Sequence, residues 1–178
     1  MTRPAPAPLP TTLPDHDTAF RHILKVINTP RVRLYDLCID ALVENYCDGS
    51  PCWLTGSNVW MPAVFGMDPD PNADFDIVFE TQNACDRFTD GVLKSLSGFS
   101  FTKGESGFGA TRILHPDGKG VIDAWAIPGH SIAELLVGYQ DNYQRAAFSM
   151  SRSPTAGSLT RLVRPIEWPQ RTRGRGGY

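Results

Sequence analysis

Asp74-Phe75-Asp76-Ile77-Val78-Phe79-Glu80 is the stretch on which the reading of this chain turns. Phe75, Ile77 and Phe79 alternate with Asp74, Asp76 and Val78, and a period of two predicts a strand. Residues two apart project from one face about 7 Å apart, so Asp74 and Asp76 share a face while Phe75 and Ile77 turn into a core. Two carboxylates on one face repel unless something positive lies between them, and a hard divalent cation with oxygen ligands is the usual solution. The chain contains 14 Asp, so an Asp-x-Asp triplet would arise about once by chance, and context has to separate the three that occur. Asp15/Asp17 abut a helix start and suit capping, Asp68/Asp70 sit among prolines in a loop, and only Asp74/Asp76 lie on an expected strand.

Upstream of this strand, Cys52-Trp53-Leu54-Thr55 is a short apolar run suited to a buried strand, broken at Gly56-Ser57 and followed by a short helix over Val59 to Phe65. A Gly-Ser pair is by itself only a turn. At a strand end before a helix, though, its backbone N–H groups and the Ser57 hydroxyl can approach phosphate oxygens. Downstream, Phe88, Val92, Leu93 and Leu96 predict a helix over Ala84 to Leu96. Strands are expected at Ala110 to Leu114 and Val121 to Ala126, joined as a hairpin by His115-Pro116-Asp117-Gly118. Asp123 stands in the middle of the second of these otherwise apolar strands, where an unpaired charge would be costly. Either it bonds a backbone amide or an arginine such as Arg112, or it converges with Asp74 and Asp76. Three converging carboxylates could hold two Mg²⁺ ions roughly 3.5 to 4 Å apart.

In that order, Leu54-Thr55-Gly56-Ser57, Asp74-Phe75-Asp76-Ile77 and Ile122-Asp123-Ala124 resemble the nucleotidyltransferase superfamily typified by DNA polymerase β. Within it, Gly56-Ser57-Asn58-Val59, then Gly66, then Asp74-Phe75-Asp76 is most similar to the head domain of CCA-adding enzymes and bacterial poly(A) polymerases, from about Trp53 to Trp125. Trp60-Met61 stands here where those enzymes carry Arg-Asp. The resemblance implies an α/β (α+β) nucleotidyltransferase fold, a short mixed sheet flanked by helices. It also implies attack of an acceptor hydroxyl on the α-phosphate of an NTP such as ATP, with release of pyrophosphate. Asp74, Asp76 and Asp123 would be the catalytic residues and the ligands of Mg²⁺ (or Mn²⁺), and Gly56 and Ser57 would hold the β and γ phosphates. The implied acceptor is an RNA or tRNA 3′ end. A protein acceptor, or a non-catalytic NTP- or RNA-binding module of the same fold, are the alternatives.

The remainder of the 178 residues is organised around this segment. Met1 to Pro14, with five prolines, is expected to be a disordered arm, residues 15–150 the domain, and Ser151 to Tyr178 a flexible tail. Helices are expected from Asp15 or Asp17 to a stop before Pro30, from Leu34 through Leu42 to a stop near Asp48, and over Ile132 to Met150. A 41% hydrophobic and 20% charged composition is that of a globular chain. The net charge of -2 conceals an asymmetry: Met1 to Gln144 carries 10 basic and 18 acidic residues, whereas Arg145 to Tyr178 carries 7 Arg against Glu167 alone. Arg161, Arg164, Arg171, Arg173 and Arg175 are therefore candidates for contact with nucleic acid, against a plain solvated terminus. The longest uncharged run, Gly49 to Met67, holds three Gly and two Pro, so no membrane span is expected, and a cytoplasmic location is the expectation that goes with reduced cysteines. Cys38, Cys47, Cys52 and Cys85 form no Cys-x-x-Cys pair and are expected to be reduced. Gly104-Glu105-Ser106-Gly107 has the look of a protease serine loop but suits a hairpin turn better.

Overall fold

The computed structural model describes residues 12–27, 51–70, 73–95, 102–105, 110–114, 120–139, 144–153 and 157–163. In chain order these form α1 (His16–Ile27), β1 (Cys52–Thr55), α2 (Ser57–Trp60) running into a wider π-type turn (Met61–Phe65), β2 (Phe75–Phe79) and α3 (Gln82–Ser95). There follow β3 (Thr102–Glu105), β4 (Thr111–Leu114), β5 (Gly120–Ala126), α4 (Ile132–Gly138), β6 (Ala147–Ser153) and β7 (Gly157–Val163). The strands make one seven-stranded mixed sheet in the order β3-β4-β5-β2-β1-β6-β7. Only β2 and β5 run parallel, and the other neighbours are antiparallel. The expected α/β architecture, a mixed sheet flanked by helices, is the one observed.

Strand alternation divides the sheet into two faces. Phe75, Ile77 and Phe79 of β2, Cys52 and Leu54 of β1, Ile122 and Ala124 of β5 and Phe148 of β6 point to one side. There they bury against Ala84, Cys85, Phe88 and Val92 of α3, Ala19 of α1, and Val59 and Ala63 beside the π-type turn. On the other side Trp53, Val78 and Ala147 pack with Ile127 and with Ile132 and Leu136 of α4. Helix α4 starts at a capping box: the Ser131 hydroxyl accepts from the Glu134 N–H at 3.3 Å, and the Ser131 N–H donates to the Glu134 carboxylate at 2.7 Å. At α1, the Thr18 N–H donates to Asp15 at 2.7 Å and makes Asp15 the cap, and hydrogen bonds from the Thr18 side chain and then its N–H lower the Asp15 pKa. His22 Nδ1 lies 2.5 Å from Asp68 Oδ1, tying α1 to the loop after the π-type turn.

Two expectations are corrected. The helix predicted over Ile132 to Met150 ends at Gly138, and Ala147–Ser153 is a strand paired with β1 and β7. Ala146 and Ala147 favour helix locally, but Ala147 and Phe148 are fully buried on opposite faces of the sheet, and that burial outweighs propensity. Residues 157–163, assigned above to a tail, form the edge strand β7. The Pro-rich arm to residue 11, the helix predicted at Leu34 to Leu42, the turn at 115–118 and residues 164–178 lie outside the described residues. Among the described residues no helix is long and apolar enough to cross a membrane, and Cys52 and Cys85 are free thiols.

Candidate active site

The sheet register aligns one row of side chains across four strands. Thr55 of β1 is opposite Asp76 of β2, Asp76 is opposite Asp123 of β5, and Asp123 is opposite Arg112 of β4. The next row on the same face is Trp53, Val78 and Trp125. Polar and ionic groups thus occupy one end of a face whose other end is apolar and covered by α4. Asp74, one residue before β2, falls on the same face as Asp76 by period-two alternation.

Within the row, Asp123 is buried, at 7% exposure, and both its oxygens are taken by one guanidinium. Arg112 Nε donates to Oδ1 at 2.6 Å and Nη2 donates to Oδ2. The same Nη2 lies 3.7 Å from Asp74 Oδ2. Both readings of Asp123 left open by the sequence are met: its side chain pairs with Arg112, and the register sets it beside Asp76. Nor is the backbone around the aspartates left loose. The Thr55 hydroxyl donates to the Asp76 carbonyl at 3.3 Å, and the buried Asn58 amide donates to the Asp74 carbonyl at 2.5 Å.

Gly56 is required twice over. Its backbone, at φ 73° and ψ -162°, occupies a region essentially reserved for glycine, and a Cβ there would lie 1.8 Å from Asp76 Oδ2. The strand end therefore brings bare main chain against a carboxylate. That carboxylate is itself unusual: burial first, then the charges of Asp74 and Asp123, push the Asp76 pKa up to about 7 against an opposing pull from Arg112. Tyr139 is raised by burial, a hydrogen bond with Thr55 acting the other way.

These groups face a cavity of about 660 Å³. Thr55, Gly56, Asp74, Asp76, Arg112 and Asp123 make its polar wall, and Trp60, Trp125, Tyr139 and Leu135 its apolar one, with Ala110, Gly138 and Gln144 between them. Ser57 opens α2 and is not part of this lining. Arg161 lies on β7, opposite Ser149 of β6, and Arg164, Arg171, Arg173 and Arg175 lie outside the described residues. The sequence reading missed the aromatic wall. Trp125, two residues beyond Asp123, was findable from strand alternation; Trp60, Tyr139 and Gln144 carried no such signal.

The donor chemistry fits a hard divalent cation at Asp74 and Asp76, two carboxylates close enough for the charge of one to raise the pKa of the other. Asp123 is held through both its oxygens by Arg112, which takes one acceptor position on each. Among the described residues, no group of three or more His, Cys, Asp or Glu side chains is placed to share a metal ion.

No protein-family model matches the sequence, and no curated protein does. Solved structures do. The Thermotoga maritima CCA-adding enzyme complexed with tRNA is similar at a TM-score of 0.52 and 15% identity, over 74% of this chain and 29% of that one. An apo form of a CCA-adding enzyme is similar at 0.51 and 16%, over 72% and 29%. The chain therefore spans less than a third of the length of these neighbours, and what it shares with them is a nucleotidyltransferase-like fold.

Proposed function

We propose that the chain is a metal-dependent nucleotidyltransferase that moves a nucleoside monophosphate from an NTP to an acceptor hydroxyl, with an RNA 3′ end, such as that of a tRNA, as the acceptor. One observation carries this reading: Asp76 and Asp123 are direct neighbours on parallel strands, beside Asp74 and a Cβ-free turn at Gly56, all facing one cavity. That cavity lies within the roughly 300 to 1,000 Å³ of small-molecule sites. The tRNA bound to a structural neighbour of the same fold supports the choice of acceptor.

Asp74 and Asp76 are the residues that would hold the cation, which when bound screens the triphosphate and polarises the α-phosphate. Gly56 keeps the strand end open to the β and γ phosphates, and the Ser57 hydroxyl and N–H follow it at the start of α2. Trp60, Trp125 and Tyr139 supply apolar surface for the nucleobase, and stacking on such surfaces tolerates any base. As the acceptor hydroxyl loses its proton to water, its oxygen bonds to the α-phosphorus and the bond to pyrophosphate breaks, negative charge grows on the phosphoryl oxygens. Arg112 is the fixed positive group of the cavity wall against which that charge develops.

Incubation with each α-labelled NTP, Mg²⁺ and total RNA tests the reading, with label expected in RNA. Asp76→Asn should lower transfer by at least about a hundredfold, since losing even an outer partner of a metal site costs about 10- to 100-fold. Unchanged transfer in that variant would sink the assignment. Label on a protein would redirect the acceptor, and nucleotide binding without transfer would make the chain a binding module.

A further inference from the structure

We propose that Arg112 stands in for a second cation, so that the centre takes a single divalent ion, on Asp74 and Asp76, with Asp123 reserved for the guanidinium. The inference rests on the nucleotidyltransferase reading and narrows it.

Register is the first argument. Arg112 and Asp123 are cross-strand partners on β4 and β5, so the sheet itself holds guanidinium and carboxylate opposite one another. The second is the form of the contact. Nε and Nη2 engage the two carboxylate oxygens as a fork, the strongest arrangement available to this pair of groups. The Asp123 side chain is only 10% exposed. Pulling the arginine away would strand a buried carboxylate, and breaking a buried pair in this way is strongly destabilising. Position is the third. Nη2 reaches both Asp123 and Asp74, so the guanidinium spans the interval in which an ion shared by those two carboxylates would sit. Charge agrees as well: three carboxylates against one guanidinium leave two negative charges, which one divalent ion neutralises. Arginine is not deprotonated in proteins, so this positive charge is permanent and no chelator removes it.

Counting bound Mn²⁺ by electron paramagnetic resonance, with a non-hydrolysable α,β-methylene NTP present, tests the proposal on the full chain. The wild type should bind one Mn²⁺. Asp123→Asn should still bind one, no more than about tenfold more weakly, while Asp76→Asn should bind none. Arg112→Gln, confirmed as folded by its melting curve, should admit a second ion. Two ions in the wild type would overturn the proposal without recourse to any variant. So would loss of the ion in Asp123→Asn, or a folded Arg112→Gln that still binds only one. The two readings fail differently: no Mn²⁺ and no label transfer removes the nucleotidyltransferase assignment together with this one, whereas two Mn²⁺ with label transfer intact removes this one alone.

Discussion

Gly56 and Asp76 show how little freedom single residues have at this site. A methyl group at Gly56 meets the Asp76 carboxylate, and the backbone there carries strain of about 1 to 3 kcal/mol for any residue other than glycine. Gly56→Ala should therefore turn the Asp76 carboxylate aside, lowering Mn²⁺ affinity by about tenfold or more and the melting temperature by a few degrees. Calorimetric titration alongside thermal melts would measure both, and an unchanged affinity would dissociate the turn from the ion. Asp76 also gives a pH signature. Its folded pKa, near 7, lies above the unfolded value, so below about pH 4 both states hold the proton. Between about 4 and 7 only the folded state does, and stability falls as pH rises through that window. Wild type in chelator should lose melting temperature between pH 5 and pH 8, and Asp76→Asn should lose less. Equal slopes would place the titrating group elsewhere. Asp76 was legible from the sequence because alternation assigns it a face. The fork from Arg112 to Asp123 was visible only as one of two options, since the choice depends on a register between β4 and β5 that no local pattern specifies.

Elements differ in how plainly the sequence announced them. β1, β2, α3 and the β4/β5 pair were legible because each ends at a clear break, β2 and α3 having a single period and β1 and β5 being apolar runs of strand length. Ile132 to Met150 was not: Ala146, Ala147 and Phe148 read as a continuing helix, and only pairing with β1 makes them a strand. The helices also hold the site-bearing strands in place. Phe88 of α3 is 1% exposed and lies against Phe79 at the end of β2, ring centroids 5.1 Å apart. Phe88→Ala should cost about 3 to 5 kcal/mol, measurable by denaturant unfolding. A change below about 1 kcal/mol would mean that α3 does not support β2 in solution.

At the scale of the whole molecule, the two sheet faces have separate duties: one is closed by α1 and α3, while the other is part core and part cavity. The acidic excess read from composition finds one structural use here, as Asp74, Asp76 and Asp123 gather at a single cavity. Parallel pairing of β2 with β5 has a consequence in time as well as in space. Residues 80–119, with α3 and the β3/β4 hairpin, must fold back before Asp76 meets Asp123, and such sequence-distant contacts form slowly. Helical ellipticity can recover from local contacts alone; the proposed ion site cannot. In stopped-flow refolding, Mn²⁺ uptake should trail the far-ultraviolet signal, and simultaneous recovery would show that the crossover closes first. If the proposed ion site forms in this order, most of the chain's structure would be in place before it could bind a cation.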